Sequence, residues 1–282
     1  AKYLRELWQF VQRLPASFHS LQAHVLYWWL RTDLQQGAPD KQRFLAYLRL
    51  PRQSHLTATR HIERFPQHST QAHLGVSFPT GFGPIGDDEA LVRDCLEHFF
   101  ASEDNHESYA EWLDADWCKT VLAETKLLLG QGDPQRWHAM LGDSARIDAL
   151  KNRVEIGFPA TMREHWGADD AVTIAVDVKN VPTLLVKVFA IDAFRYHQEK
   201  QRPVDASIEL DGVVANFEQT HTYDEPAIRR VRRTFDLPML REPGTWVVEF
   251  VGNGISSRAV VHKGGLRAVE RTTAAGQVFT VF

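Results

Sequence analysis

The sequence is poor in cysteine, in long apolar runs and in net charge, and each shortage excludes a class of protein. Only two of the 282 residues are cysteine, and they lack the C-x-x-C spacing of a zinc ribbon or a redox pair. The longest apolar stretches, such as residues 25–30 and 183–191, are far shorter than the roughly 20 residues that a membrane helix needs. A formal net charge of -4 at pH 7 argues against sequence-independent binding of nucleic acid. We therefore predict a folded, soluble protein with no membrane insertion and no nucleic-acid partner.

The chain begins at Ala1 without an initiator Met, inside a helical pattern, and stops at Phe282 inside a strand-like pattern. We therefore expect it to be a piece of a longer polypeptide, with any targeting signal outside it. A bridge between Cys95 and Cys118 would contribute roughly 3 to 4 kcal/mol on the chain-entropy model. In a reducing compartment two buried thiols are expected instead, and the sequence leaves both states open.

Residues 1–151 carry apolar side chains at helical spacing. The first stripe consists of Leu4, Leu7, Trp8, Val11 and Leu14. It ends at Pro15, because proline cannot continue a helix. Further helices are predicted from Ser17 to Gly37, from Asp40 to Leu50, from Asp87 and Asp88 to Phe100, from Asn105 to Leu129, and from Asp133 onward. Stripes this consistent predict an all-helical domain.

From Arg153 onward the apolar residues alternate with polar ones, between turn signals about ten residues apart. The candidate strands are residues 171–178, 183–191, 206–210, 230–237, 245–252, 257–263, 266–272 and 277–282. Few helical stretches separate them, which favours hairpin connections and an antiparallel β-sandwich. The predicted fold class is therefore α+β multidomain, with a helical domain at 1–151 and a β-sandwich domain at 152–282.

The glycine-rich stretch Gly252 to Ser257 follows an apolar strand and superficially resembles a phosphate-binding loop. Such loops work because their amides meet a phosphate at the start of a helix. Here the following residues, 257–263, alternate as a strand does. Asn253-Gly254 is instead the pair favoured in a type I′ hairpin turn. We predict a hairpin at this position and no bound nucleotide.

Four stretches, residues 178–189, 222–238, 246–266 and 276–282, resemble the β-sandwich modules of large alpha-2-macroglobulin-like bacterial proteins. The resemblance covers about residues 153–282 and implies a macroglobulin-like or immunoglobulin-like sandwich in a secreted, periplasmic or cell-surface protein. Proteins of that family react through a Cys-Gly-Glu-Gln thioester. Neither Cys95 nor Cys118 is followed by Gly-Glu-Gln, so the resemblance implies a scaffold role without this chemistry.

The long connection at residues 51–86 holds four histidines, His55, His61, His68 and His73. Imidazoles bind zinc, and the acids that follow, Asp87, Asp88 and Glu89, offer further ligands or a base. An alternative function is therefore a metal-dependent hydrolase that uses His61, His68 and His73. The spacing matches no short metal motif such as H-E-x-x-H, which favours surface histidines bonded to the backbone.

Two other clusters invite a functional interpretation. The arginines at 229, 230, 232 and 233 stand near Tyr223 and Phe235, an arrangement that can bind single-stranded nucleic acid. Alternation places them on both faces of a strand, beside Asp224, Glu225 and Asp236, which favours a solvated edge. The tryptophans at 8, 28, 29, 112, 117 and 137 follow the helical stripes, so core packing is favoured over a carbohydrate-binding or peptide-binding groove.

These patterns predict a non-catalytic scaffold or protein-interaction fragment of a larger alpha-2-macroglobulin-like envelope or secreted protein. No catalytic residue, cofactor or metal is assigned, with His61, His68 and His73 as weak candidates. The expected partners are other domains of the same longer chain and a protein partner. The alternatives are the metal-dependent hydrolase and a carbohydrate-binding or peptide-binding module.

Overall fold

The computed structural model describes residues 2–265, 268–273 and 276–281. Ala1, where the sequence predicts that a helix is already under way, lies outside the described residues, as do Leu266, Arg267 and Phe282 at the ends of two predicted strands. The chain divides into two compact units, Ala1–Asn152 and Arg153–Phe282. The first contains helices and the second contains sheets, so the predicted α+β class is confirmed.

The first unit is built from eight α-helices in its described part. They are α1 (Lys2–Val11), α2 (His19–Gln35), α3 (Lys41–Arg49), α4 (Thr59–Ile62), α5 (Glu89–Phe100), α6 (Ala115–Leu129), α7 (Pro134–Leu141) and α8 (Ser144–Asn152). Local sequence sets several ends: the Asp40 side chain accepts a hydrogen bond from the Arg43 backbone N–H at the start of α3, and Asp133 accepts one from Gln135 at the start of α7. The core between the helices includes Leu30, Phe44, Leu96, Phe100, Val121 and Leu122, all fully buried.

Two helix starts differ from the sequence prediction. Residues 105–114 are not helical, and α6 begins only at Ala115, with Asp114 as its cap. The cause is pairing with a distant segment, because Ala58 N–H donates to the carbonyl oxygen of Trp112 at 2.9 Å and Asp114 N–H donates to Leu56 at 2.8 Å. The predicted cap at Ser17 is also wrong, since this residue lies inside a short 3₁₀ helix that precedes α2.

The second unit contains a three-stranded and a five-stranded sheet, and a separate hairpin. The first sheet has the order β1 (Glu155–Gly157), β3 (Thr173–Lys179), β6 (Arg230–Asp236). The second has the order β2 (His165–Trp166), β8 (Ile255–Lys263), β7 (Gly244–Gly252), β4 (Thr183–Ile191), β5 (Phe217–Thr222). The hairpin joins β9 (Ala268–Thr273) to β10 (Gly276–Val281). All described pairs are antiparallel except that of β2 with β8, which is parallel.

Alternation along the strands builds the sandwich core. Every second residue of each long strand points inward, and the two sheets share one buried cluster. Its members include Ile174, Val176 and Val178 of β3, Leu184, Val186 and Val188 of β4, Val248 and Phe250 of β7, and Ala259 and Val261 of β8. The alternation therefore predicts both the strands and the face that each one buries.

The glycine-rich stretch is a hairpin turn between β7 and β8. Asn253 and Gly254 both have positive φ, 44° and 82°, as a type I′ turn requires. Strand pairing continues directly on both sides, with Gly252 opposite Ile255. The prediction of a hairpin here is confirmed, because a strand rather than a helix follows the glycines.

The connection from β4 to β5 differs most from the prediction in this unit. Residues 206–210 are not a strand, and the sequence analysis missed the helix α9 (Ala193–Lys200) and the polar strand β5. Ile208 and Leu210 instead pack with Phe189 and Val247 in a second buried cluster, on the other face of the five-stranded sheet. The alternation at 206–210 was misleading because these side chains cover a sheet without joining it.

Candidate interaction surface

The C-terminal end of the long connection at residues 51–86 packs against the middle of α2. The indole N–H of Trp28 donates a 3.0 Å hydrogen bond to the carbonyl oxygen of Gly83. The rings of Trp28 and Phe82 are stacked, with centroids 5.1 Å apart and planes 21° from parallel. An aromatic stack combined with a hydrogen bond holds this part of the connection in one position.

Thr80 ties the same connection to both α1 and α2. Its hydroxyl lies 2.7 Å from Nε2 of His24, and its carbonyl oxygen accepts a 3.2 Å hydrogen bond from the Tyr3 hydroxyl. His24 is buried, and burial lowers the pKa of its imidazole. The connection is therefore anchored on a neutral histidine beneath it.

Two exposed rings, Tyr3 and Phe10, and two half-buried rings, Trp28 and Phe82, form a group that we call the aromatic face. Tyr3 and Phe10 are 51% and 63% exposed, and a separation of seven residues places them on one side of α1. The Tyr3 and Phe82 rings lie 6.2 Å apart. The sequence analysis missed this surface because it followed only the buried stripe of α1.

The histidines proposed as metal ligands do not come together. His61 is buried, with Nε2 3.0 Å from the carbonyl oxygen of Arg49, and burial lowers its pKa. His68 and His73 are exposed, and His55 lies 3.1 Å from Glu89. Across residues 2–265, 268–273 and 276–281 no three His, Cys, Asp or Glu side chains form a group that could hold a metal ion.

Asp88 lies at the centre of a buried polar cluster that the sequence analysis interpreted as a helix start. Its carboxylate forms an ion pair with Arg52, and neither side chain has any exposed surface. Tyr47 donates to the same carboxylate oxygen at 2.9 Å, and Ser54 donates to the other at 2.7 Å. Asp88 makes no side-chain capping bond to α5. Its role is to join the start of the 51–86 connection to its end.

The arginines of β6 are paired within the second unit. Arg230 binds Glu155 at 2.7 Å, and Arg232 binds Asp177 through two hydrogen bonds of 2.7 and 2.8 Å. Burial opposes ionisation of Glu155, but Arg230 and Arg153 outweigh it and lower the pKa.

Arg233 pairs with Glu225 and lies 4.2 Å from the centre of the Tyr223 ring. Local pairing was therefore predicted correctly for Glu225. The partners of Arg230 and Arg232 come from β1 and β3 of the same sheet, and the sequence analysis missed them because they are far away along the chain.

The remaining sequence candidates have structural roles. Cys95 and Cys118 are free and buried, and burial raises the pKa of both thiols, to about 12 for Cys118. Trp137 is buried, and the guanidinium of Arg43 lies 3.6 Å from the Trp29 ring centre. Among the helices that the structure describes, none combines the length and apolar character needed to traverse a bilayer.

A cavity of about 430 Å³ opens in the second unit beside Asp170, Asp236 and Lys263. Two of its charged groups have partners within the chain, since Asp170 accepts from Arg163 at 3.0 Å and Lys263 donates to the Leu240 carbonyl oxygen at 2.8 Å. These two groups therefore have structural roles.

Comparison with known proteins identifies the two parts of the chain separately. A family model described as the actin-binding protein F N-terminal domain matches residues 1–154, and one described as the AbpF first immunoglobulin-like domain matches residues 184–264. Actin-binding protein F of Dictyostelium discoideum is 33% identical over 277 residues. That alignment covers 97% of this chain but only 12% of the relative.

Among solved structures, a fragment of Escherichia coli alpha-2-macroglobulin spanning domains MG0-NIE-MG1 has a TM-score of 0.31 and 14% identity. The similarity covers 43% of this chain and 42% of that one. A similarity this weak carries no argument about function.

These matches confirm an immunoglobulin-like domain, but they correct the predicted parent protein. The family models and the curated relative belong to actin-binding protein F, and not to an alpha-2-macroglobulin-like envelope protein. The predicted secreted, periplasmic or cell-surface location is therefore wrong, since the family is named for binding actin, a protein of the cell interior.

Proposed function

Because the chain belongs to the actin-binding protein F N-terminal domain family, we propose that it is a non-catalytic interaction module that binds actin as part of a longer protein. The family match over residues 1–154 carries this proposal. The relative named for actin binding aligns with 97% of the chain, so both units are present in it. The helical unit also exposes aromatic side chains, which are enriched where proteins bind one another.

The two units have separate roles in this proposal. We assign a helical domain to residues 1–151 and a β-sandwich domain to residues 152–282. The division of the chain into compact units between Asn152 and Arg153 supports this assignment. The helical domain makes the contact with actin. The sandwich connects the helical domain to further domains of the longer chain. Its basic strand β6 is not assigned to actin binding, because Arg230, Arg232 and Arg233 are paired with carboxylates of the same unit.

We propose no catalytic or metal-binding role for His61, His68 or His73. One is buried against a backbone carbonyl group and the other two are exposed, so the three offer no common site.

Co-sedimentation of the purified 282-residue chain with actin filaments tests the proposal. We expect the chain to pellet with filaments and the bound amount to saturate as filament concentration rises. A chain that stays in the supernatant at every filament concentration, while a known filament binder pellets in parallel, would refute it. Sedimentation without filaments controls for aggregation.

A further inference from the structure

We infer that the aromatic face, together with the basic residues around it, is the surface through which this chain contacts an acidic protein surface. This inference rests on the proposed function, under which that acidic surface belongs to the actin filament. Three observations carry it: the exposure of the rings, the rigidity of their support, and the charge of the surrounding segments.

The rings are exposed although their helix is firmly packed. On α1, Leu4 and Val11 are 3% and 0% exposed and share a cluster with Val25 of α2. Tyr3 and Phe10 each precede one of these buried residues and lie about 100° around the helix from it, so they remain exposed although α1 is packed against the core. Exposed rings grouped on a monomer are typical of a recognition surface.

The support is rigid before any partner arrives. Trp28 is bonded to Gly83 and stacked on Phe82, and Thr80 links the connection to Tyr3 and to buried His24. Rings held in place lose little conformational freedom on binding, so more of their contact energy contributes to affinity. This favours a site that docks a preformed partner surface.

The charge around the face is positive although the whole chain is negative. Residues 1–32 contain four cations, Lys2, Arg5, Arg13 and Arg31, and a single carboxylate, Glu6, which pairs with Lys2 at 4.0 Å. The three remaining charges of this segment are therefore all positive, and residues 65–86, which supply Phe82, contain neither Asp nor Glu. The guanidinium of Arg31 lies 5.6 Å from the Trp28 ring centre, which brings charge directly to the aromatic face. The complementary partner is therefore acidic, with an apolar recess for Tyr3 and Phe10.

The second unit offers an internal comparison. Phe194 on α9 is 73% exposed, more than either ring of α1. Its neighbour Arg195 is already paired with Glu199 at 2.9 Å. Exposure alone thus does not distinguish a binding surface, and Phe194 serves as a matched control on a helix.

The test compares Tyr3→Gln/Phe10→Gln with Phe194→Gln in filament co-sedimentation. Glutamine keeps helix propensity and removes the rings. We expect the α1 double variant to lose affinity by about tenfold or more, as for central aromatic residues of interfaces, and Phe194→Gln to bind as the parent chain does. Circular dichroism and the thermal midpoint check folding, and Phe10→Gln alone provides a second variant with less effect on the fold.

A charge test is independent of the rings. Arg13 follows Phe10 by three residues and Arg31 lies beside Trp28, so Arg13→Glu/Arg31→Glu should weaken binding and reduce its dependence on salt, whereas Arg146→Glu on exposed α8 should leave both unchanged. If the parent chain binds filaments and both the ring variant and the charge variant bind equally well, this inference is refuted and the proposed function stands. If the parent chain does not bind, the proposed function itself fails.

Discussion

Replacing Arg52 with methionine should destabilise the helical unit strongly. The side chains of Arg52 and Asp88 have no exposed surface, and Asp88 also accepts hydrogen bonds from Tyr47 and Ser54. Methionine fills much of the arginine volume but leaves the carboxylate buried without a counter-charge. Breaking a buried pair in this way costs about 3 to 5 kcal/mol. For a unit of this size the thermal midpoint should fall by roughly 10 °C.

Two further variants separate the charge from the volume. In Arg52→Met/Asp88→Asn both charges are removed, and the new amide oxygen can still accept from Ser54 or Tyr47, so a part of the lost stability should return. Arg64→Met breaks the exposed pair of Arg64 with Glu111, whose atoms are 2.8 Å apart, and should leave the midpoint unchanged.

Tryptophan fluorescence during urea unfolding is the appropriate assay, because the helical unit holds all of the tryptophans except Trp166 and Trp246. Arg52→Met with a free energy of unfolding within about 1 kcal/mol of the parent chain would refute the reasoning. So would a double variant less stable than Arg52→Met alone.

Two other perturbations test the helical and the β unit in turn. Burial lowers the pKa values of His24 and His61 in the folded chain. Below about pH 6.5 the unfolded chain therefore binds protons that the folded chain does not bind. The free energy of unfolding should be constant above that pH and should fall as the pH decreases toward the lowered pKa values. Thermal melts between about pH 8 and pH 5 should show this fall as a decrease of the midpoint. His61→Gln, which keeps a donor for the Arg49 carbonyl oxygen, should make the midpoint depend less on pH, and an unchanged dependence would contradict the role of His61. In the sandwich, Gly252→Ala should cost about 1 to 3 kcal/mol in urea unfolding, because the added Cβ would overlap Val181 and lie 2.9 Å from the Thr183 carbonyl oxygen. Gly157→Ala, with open space around it, is the matched control, and equal stability of the two variants would disprove the steric argument.

Local signals in the sequence were sufficient for much of the fold. The caps at Asp40 and Asp133 act on backbone groups two or three residues away, so their helices could be predicted from short segments. Asn253-Gly254 specifies its turn through its own φ angles. Alternation along β4 and β7 placed both strands, since each faces a continuous core.

The sequence misled where the decisive partner lies far along the chain. Asp88 stands before a helix, as a cap would, yet it binds Arg52, which is 36 residues away. Residues 105–114 carry a helical pattern but pair with residues 56–58 instead. The spacing of apolar residues indicates which side chains can share one face of a helix. It does not show that backbone groups of a distant segment will bond to the N–H and C=O groups that the helix would use.

The aromatic face was hidden for a different reason. Tyr3 and Phe10 lie outside the buried stripe by which α1 was predicted. A prediction based on apolar residues at helical spacing does not use side chains that lie outside the stripe. Their significance depends on Phe82, which the fold of the 51–86 connection places beside Tyr3 of α1 and Trp28 of α2. A surface made from three separated segments has no signature in any one of them.

The second buried cluster of the sandwich restricts how the module can be assembled into an array. Phe189 and Val247 are covered by Ile208 and Leu210 of the same chain. At these residues the outer face of the five-stranded sheet therefore offers no exposed apolar surface to a neighbouring domain. A domain that packed face to face on this patch would first have to displace Ile208 and Leu210, which would expose the buried cluster to water. A neighbouring domain of a longer protein would therefore have to contact a part of the sandwich other than this covered patch.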